Sequence, residues 1–404
     1  MDRAGLSDLA GWLTEAGLAG KTETEIVDGF CRRAVAAGLP IAWCAVIIDT
    51  LHPVHEGRAF RWRCDAGGTE LLEYGPTNEG AAAESWRSSP FFALLQAGES
   101  LLRRRLFAGE AAEFPTVATL QQEGATDYLA LINRFAAPGA IGEMDCVYSS
   151  WTSDRPQGFE DRHIEALVEL MPTLALAIKC VSLTRIAGTL VETYLGRDAG
   201  RRVLGGLIRR GVADKIGAVL WYSDLRGFTR ITDSAAPQQI IPFLNDYAEA
   251  VISAVYDHGG DVLKLIGDGT LAIFTADAAE EACRCAIAAE TTLCQRVASL
   301  NRRRADNNLP ITDVYLGLHV GEVFYGNIGS KDRLDFTVVG PAVNEVSRIA
   351  TMCRSVERNV LISEAFVAAM TAAERTGLVS VGRYALRGVE RPQELFTLDH
   401  LATA

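Results

Sequence analysis

The second half of the chain contains a β-hairpin pattern that restricts the fold more than any other segment. In GDVLKLIGDGTLAIFT (260–275), two apolar runs flank the turn sequence Gly-Asp-Gly. Gly and Asp are favoured in tight turns between strands because they tolerate the backbone angles that such turns require. We therefore predict two antiparallel strands with Asp268 at the tip of the hairpin.

The segments around this hairpin predict a mixed core of strands and helices. IGAVLWYSD (216–224) predicts a strand that ends in an acid, and residues 238–256 place their apolar side chains on one face of a helix. Further along we predict a helix over 277–304, a second β-ribbon over 313–329, a strand over 334–340 and a helix over 341–351. The order β-α-ββ-α-β resembles a ferredoxin-like or palm core, so the predicted fold class is α+β.

Two aspartates lie where predicted strands end. Asp224 closes one strand and Asp268 occupies the hairpin tip, so the two can meet at one end of an antiparallel sheet. Carboxylates that meet repel each other unless a cation lies between them, and oxygen-only ligands favour Mg²⁺ or Mn²⁺. The backbone after Asp224 leads towards a helix N-terminus, which suits phosphate oxygens. Taken singly, each aspartate also fits an ordinary turn or helix cap.

Four segments together resemble the signature motifs of class III adenylate cyclases. They are YSDLRGFT (222–229), LKLIGDG (263–269), DFTVVG (335–340) and NEVSR (344–348), in the order and at the spacing of that family. The resemblance implies conversion of ATP to 3′,5′-cyclic AMP and pyrophosphate by in-line attack of the ribose 3′-oxygen on the α-phosphorus. It also implies two Mg²⁺ or Mn²⁺ ions per active site, which activate the attacking oxygen and neutralise the leaving group.

The resemblance further implies a role for most residues of a nucleotide site. It implies metal binding by Asp224, Asp268 and the backbone carbonyl of Leu225, adenine recognition by Lys264 and Asp335, catalysis by Asn344 and Arg348, and phosphate binding by Arg387. The place of Gly227, Phe228 and Thr229 before a predicted helix predicts that they also bind phosphate. The family usually has Lys at the position of Arg387, and often has Tyr where this chain has Phe336. In the family, the metal aspartates of one chain face the catalytic pair of another, which implies a homodimer with two equivalent composite sites.

The predicted base-recognition pair favours ATP over GTP. A Lys donor and an Asp acceptor match the N1 acceptor and N6 donor of adenine, and guanine reverses that pattern. Guanylate cyclases of the family typically have Glu and Cys in place of Lys264 and Asp335. The alternatives are a guanylate cyclase and a non-catalytic cyclase-like nucleotide-binding module. A diguanylate cyclase has a GG[DE]EF hairpin, whereas this hairpin reads IGDG.

The first part of the chain predicts a separate α/β domain. Its predicted elements are a helix over 22–37, strands over 42–49, 59–64 and 144–153, and helices over 88–96 and 158–181. Their order resembles a GAF-like sensor domain. We therefore expect a GAF-like sensor or dimerisation domain over 1–181, a helical connector interrupted by glycines over 182–214, and the cyclase domain over 215–404.

Several features of this first domain admit two interpretations. Its aromatic residues line a ligand pocket or form the core, and the ligand, if one exists, is unknown. His52 and His55 bind a metal or haem, or are polar loop residues. The apolar spacing of the last helix, over 167–181, fits a helix–helix seam or packing on the domain's own sheet.

Composition excludes several classes of partner. The net charge of −12 argues against broad binding to nucleic acid or anionic membranes. The nine cysteines are odd in number and include no CxxC pair, so they predict neither a zinc site nor a disulfide framework. The most apolar run, 167–181, is interrupted by Glu169 and Lys179, and the N-terminus lacks the features of a signal peptide. We expect a cytoplasmic protein that does not bind membranes.

Overall fold

The computed structural model of the chain describes residues 2–135, 141–142, 144–389 and 391–398. These residues form two units, Met1–Leu190 and Val191–Ala404. The last residues of the predicted cyclase domain, 399–404, lie outside the described residues.

The first unit is built on a six-stranded antiparallel sheet. Its strands are β1 (Trp43–Asp49), β2 (Gly57–Arg63), β3 (Thr69–Tyr74), β4 (Leu101–Arg104), β5 (Asp127–Arg134) and β6 (Cys146–Ser153). Its helices are α1 (Arg3–Leu18), α2 (Glu23–Ala36), α3 (Gly80–Arg87), α4 (Pro90–Ala97), α5 (Pro115–Gln122) and α6 (Asp161–Leu195). The strand order is β3-β2-β1-β6-β5-β4. The GAF-like assignment of this unit stays a prediction.

Side chains of the sheet alternate between two apolar layers. In β1, Cys44, Val46 and Ile48 pack with α1, α2 and α6, whereas Trp43 and Ile47 face the layer formed by α3, α4 and α5. Most aromatic residues of this unit belong to these cores. Phe60, Trp62, Phe91, Tyr128 and Trp151 are among its buried aromatic residues. The histidine rings of the loop after β1 stack at 4.7 Å between centroids.

Helix α6 is longer than the sequence predicted. It was expected to end at Val181, but it continues through Gly188 and ends at Leu195. A single glycine costs a helix only about 1 kcal/mol, which does not stop a long one. The break comes at Gly196, whose φ of 88° lies in the left-handed region. Leu167, Leu170, Leu174 and Ala177 of the predicted seam are buried in the core of the first unit, which agrees with packing on its own sheet.

By length and composition, α6 is apolar enough to cross a membrane, because its best 18-residue window has a mean hydropathy of 1.7. We did not predict a membrane span here from the sequence, because Glu169 and Lys179 interrupt the apolar run. Of that window, 50% is buried inside the described structure, and a helix in the core of a protein without a membrane span can pass the same test. The expectation that the chain does not bind membranes stays a prediction.

The second unit contains an eight-stranded sheet. Its strands are β7 (Ala213–Leu225), β8 (Asp261–Ile266), β9 (Gly269–Phe274), β10 (Val314–Gly329), β11 (Leu334–Val339), β12 (Val360–Ser363), β13 (Leu378–Tyr384) and β14 (Gln393–Leu398). Its helices are α7 (Arg197–Leu204), α8 (Phe228–Ser234), α9 (Pro237–Asp257), α10 (Ala279–Asp306), α11 (Pro341–Val356) and α12 (Glu364–Ala369). The strand order is β13-β14-β12-β10-β7-β9-β8, and β11 pairs with β10.

The predicted β-α-ββ-α-β order is present as β7, α9, β8, β9, α10 and β10. Strand β7 lies between β10 and β9, so its C-terminal end is held on both sides. One face of the sheet packs on α9 and α10, and the other packs on α7 and α11. The prediction of an α+β fold for this half is confirmed.

The prediction of a β-ribbon over 313–329 is wrong, because this segment is the single strand β10. Its glycines allow close packing and do not form a turn. A Cβ on Gly321 would lie 2.5 Å from Cβ of Ala342 in α11, and a Cβ on Gly326 would lie 2.2 Å from the carbonyl oxygen of Val212. The ribbon forms instead between β10 and β11, which pair from Phe324 to Gly329.

Candidate active site

Asp224 and Asp268 meet at one end of the second sheet. Ile266 pairs with Gly269 across the β8–β9 hairpin, which leaves Gly267 and Asp268 as the two residues of the turn. The backbone N–H of Leu225, the last residue of β7, donates to Oδ2 of Asp268 at 3.3 Å. The hairpin tip is therefore attached to the end of β7, next to Asp224.

The two carboxyl groups interact unfavourably when both are charged. Burial, hydrogen bonding to Asp268 and the charge of Asp268 together raise the pKa of Asp224 to about 7. No group of three or more His, Cys, Asp and Glu side chains that could hold a metal is found among the described residues. A cation at this pair would thus need backbone or substrate oxygens as well. The donor set fits a hard divalent cation, with the Leu225 carbonyl as the adjacent predicted ligand.

The predicted phosphate loop is anchored on both sides. Thr312 donates its hydroxyl to the carbonyl of Arg226 at 2.5 Å. Gly227 follows with a φ of 68°, and Phe228 begins helix α8 and stacks on Phe243 with 6.2 Å between ring centroids. Thr229 is exposed. No described side chain caps the N-terminus of α8, so its first backbone N–H groups have no side-chain partner there.

The predicted base-recognition residues are in direct contact. Lys264 lies on β8 and Asp335 on β11, and the ammonium group of Lys264 forms an ion pair with the carboxylate of Asp335. Their side chains are 45% and 41% exposed, so a ligand can reach both. The fold thus brings together two residues that are far apart in the sequence.

The predicted catalytic pair lies on helix α11. Asn344 is exposed and Arg348 is partly buried one turn further along. Nη1 of Arg348 is buried and has no hydrogen-bond partner among the described residues. A Cβ on Gly388 would lie 2.9 Å from this nitrogen, so the segment that carries the exposed Arg387 passes beside Arg348. An unpaired guanidinium nitrogen at this place suits an anionic ligand.

Within one chain, the cavity beside Asp224 and Asp268 is lined by neither Asn344 nor Arg348. Among the described contacts, neither Asp224 nor Asp268 forms a hydrogen bond or ion pair with Asn344 or Arg348. A cavity of roughly 190 Å³ opens at the aspartate pair, and its other wall is formed by helix α9.

Tyr222, to which we assigned no role from the sequence, lies beside the aspartates. Its hydroxyl is 3.1 Å from the position that a Cβ on Gly269 would occupy. Burial raises the pKa of Tyr222, and the charges of Asp224 and Asp268 raise it further. Residues two apart in a strand share a face. The position of Tyr222 two residues before Asp224 was therefore a usable indication.

The family model described as the adenylate and guanylate cyclase catalytic domain matches residues 213–400. These residues form a class III adenylate/guanylate cyclase catalytic domain. The match begins at the first residue of β7 and covers all the motifs that suggested the family. It does not extend to the first unit.

Named relatives of the cyclase domain come from bacteria. Adenylate cyclase 1 of Rhizobium meliloti is 32% identical over 152 residues, 36% of this chain and 22% of that protein. An adenylate cyclase of Anabaena cylindrica is 32% identical over 175 residues, 42% of this chain and 34% of that protein. The chain thus spans about a third or less of the length of these relatives.

Solved structures similar to the cyclase domain include both substrate classes. The adenylyl cyclase CyaB from P. aeruginosa is 20% identical with a TM-score of 0.43, covering 46% of this chain and 96% of that chain. The guanylyl cyclase Cya2 is 26% identical with a TM-score of 0.41, covering 46% of this chain and 93% of that chain.

Proposed function

We propose that this protein is an adenylate cyclase that converts ATP to 3′,5′-cyclic AMP and pyrophosphate. The observation that carries the proposal is the contact between Lys264 and Asp335 within a cyclase catalytic domain. A Lys donor matches N1 of adenine, and an Asp acceptor matches its N6 amino group. Guanine presents an N–H and a carbonyl at these positions, so each would face a group of the wrong polarity.

The remaining residues have matching roles in the proposed reaction. The ribose 3′-oxygen bonds to the α-phosphorus, the bond to the pyrophosphate oxygen breaks, and the 3′-hydroxyl proton passes to solvent. Arg348 offers its unpaired guanidinium nitrogen to the α-phosphate as charge develops, and Asn344 orients the ribose. Gly227, Phe228 and Thr229 with Arg387 hold the terminal phosphates. When bound at Asp224 and Asp268, two divalent cations would neutralise the triphosphate and make the 3′-hydroxyl more acidic.

We further propose that two copies of the chain form a homodimer with composite sites. The separation of the aspartates from the catalytic pair supports this arrangement, since each site would take its aspartates from one chain and Asn344 and Arg348 from the other. The first unit would then act as a GAF-like regulatory domain in a cytoplasmic enzyme. If residues 200–404 match the full chain in ligand-free activity and in dimerisation, the first unit has no regulatory role under those conditions.

The proposed substrate is tested by incubating the full chain with Mg²⁺ or Mn²⁺ and either ATP or GTP. We expect cyclic AMP from ATP, detected by mass spectrometry, and little product from Asp268→Ala. Mainly cyclic GMP would contradict the proposed substrate, and no product from either nucleotide would contradict the proposed reaction.

The proposed base-recognition residues are tested together in the double variant Lys264→Glu/Asp335→Cys. We expect its kcat/KM for ATP to fall at least about 30-fold, because buried polar groups of the base lose their partners, and we expect cyclic GMP formation to rise. The matched control is Lys215→Glu with Glu322→Cys, since Lys215 and Glu322 form another exposed pair at 2.9 Å in the same unit. The control should keep the wild-type preference, and an unchanged preference in the first variant would contradict the assignment.

A further inference from the structure

A buried polar network lies beneath the first turns of helix α11. His319 of β10 is 5% exposed, and its Nε2 lies 3.5 Å from Oε2 of Glu345. Gln393, the first residue of β14, donates its side-chain N–H to the same carboxylate oxygen at 2.9 Å. The carboxylate of one α11 residue is thus held from two different strands.

Ser363, the last residue of β12, contacts the other ring nitrogen of His319. Its Oγ accepts the backbone N–H of Phe366 at 3.1 Å and lies 2.9 Å from Nδ1 of His319. A carboxylate oxygen only accepts hydrogen bonds, so the His319 tautomer that matches Glu345 carries its proton on Nε2, and the Ser363 hydroxyl then donates to Nδ1. Burial lowers the pKa of His319 by more than the Glu345 charge raises it, so the ring is neutral near pH 7.

Glu345 stands between the two residues of the proposed catalytic pair. Asn344 precedes it directly, and Arg348 follows it within one helical turn. The helix also contacts β10 closely at this end, since a Cβ on Gly321 would lie 2.5 Å from Cβ of Ala342. The contacts that hold the Glu345 side chain therefore also limit the rotation of the helical turn that carries Asn344 and Arg348.

The same network reaches the segment that carries Arg387. Gln393 comes directly after the segment between β13 and β14, and Gly388 of that segment lies beside the guanidinium group of Arg348. The hydrogen bond from Gln393 to Glu345 therefore connects the first turns of α11 to the residue that follows this segment. Glu345 is therefore bonded to β14 at the residue where the segment that carries Arg387 ends.

We propose that Glu345, held by His319 and Gln393, is a positioning residue that orients Asn344 and Arg348 for cyclisation. This inference rests on the proposed function, and none of the three residues needs to touch the nucleotide. A displacement of about 1 Å at a reacting group can lower the rate about 10²-fold without abolishing binding. The network would therefore affect the chemical step more than substrate affinity.

The test compares Glu345→Ala and Glu345→Gln with wild type in the full-length protein. For Glu345→Ala we expect kcat to fall between about 10-fold and 100-fold while the KM for ATP changes less than about threefold. Glu345→Gln should recover part of the loss, because its amide oxygen can accept the same N–H groups. Glu322→Gln is the matched control, since Glu322 lies exposed on β10, and it should leave both parameters unchanged. The thermal midpoint of each variant is measured in parallel.

Mixing variants separates positioning from a general loss of folding. A Glu345→Ala chain keeps Asp224 and Asp268, so mixing it with Asp268→Ala should restore activity, whereas mixing it with Arg348→Ala should not. A lower thermal midpoint with a wild-type kcat would overturn the inference, as would restoration by both partners. A wild-type chain that makes no cyclic nucleotide would overturn the proposed function itself, whereas an active wild type with a fully active Glu345→Ala would overturn only the positioning role.

Discussion

Asp224 makes the metal-free cyclase domain sensitive to pH. Its pKa is raised to about 7, first by burial and then by Asp268, whereas an Asp in an unfolded chain titrates near about 3.9. Between these values the folded protein binds more protons than the unfolded chain does. The free energy of unfolding therefore falls as pH rises from about 4 to about 7, and the destabilisation is fully present above pH 7. Partial exposure of both side chains reduces its size through solvent screening.

Replacing Asp268 with Asn should relieve this repulsion. The amide oxygen of Asn can still accept the N–H of Leu225, so the hairpin tip stays attached. In the presence of a chelator at pH 8, we expect Asp268→Asn to raise the melting temperature by about 2 °C or more, with a smaller effect at pH 5. Mn²⁺ should stabilise wild type at pH 8 but not the variant.

The control for this prediction is Asp277→Asn, which removes an exposed aspartate from the same unit. It should change neither the melting temperature nor the response to Mn²⁺. A lower melting temperature of Asp268→Asn at pH 8 without metal would show that the two carboxylates do not repel each other in the folded protein.

At the scale of helices and strands, periodicity and turn composition predicted the elements that carry the site. The hairpin around Asp268, helix α9 and helix α11 were all anticipated, because each has either a clear turn or one continuous apolar face. The sequence analysis missed β5, which is buried along most of its length and therefore lacks the alternation of a half-exposed strand.

Glycine was the least predictable residue for these elements. In β10 it allows a helix or loop to approach closely, in α6 Gly188 is simply tolerated, and at Gly196 it ends a helix. These roles depend on what lies nearby in three dimensions, which one-dimensional spacing does not reveal. The same limit applies to Tyr222 and Glu345, whose partners lie on other elements.

Two glycines near the end of α6 should differ in their tolerance of alanine. Gly188 should tolerate it, and Gly196 should not. A Cβ on Gly196 would lie 2.4 Å from the carbonyl oxygen of Val262, and its φ is 88°. We expect Gly196→Ala to destabilise the protein by roughly 1–3 kcal/mol, seen as a lower urea midpoint. Gly188→Ala is the matched control, because nothing lies within 4 Å of its added Cβ and alanine favours a helix. Equal urea midpoints for the two variants would contradict the claim that position 196 requires glycine.

At the scale of the whole molecule, the separation of the site into two halves gives the strongest test of the homodimer. Asp268→Ala removes a group from one half and Arg348→Ala removes a group from the other, so homodimers of either variant should be nearly inactive. When the two are mixed and allowed to exchange, about half of the dimers contain one chain of each kind, and one of their two sites is intact. We therefore expect recovery of about a quarter of the wild-type activity per chain.

The recovered activity should also depend on incubation time and on the composition of the dimers. It should require subunit exchange, and so should rise with incubation time and with the fraction of mixed dimers, which two affinity tags can measure. Mixing Asp268→Ala with Asp224→Ala serves as the control, because both lesions lie in the same half and no intact site can form. If mixed dimers are present in the expected amount and stay inactive, the aspartates and Arg348 of one site do not come from different chains, and the composite homodimer is contradicted.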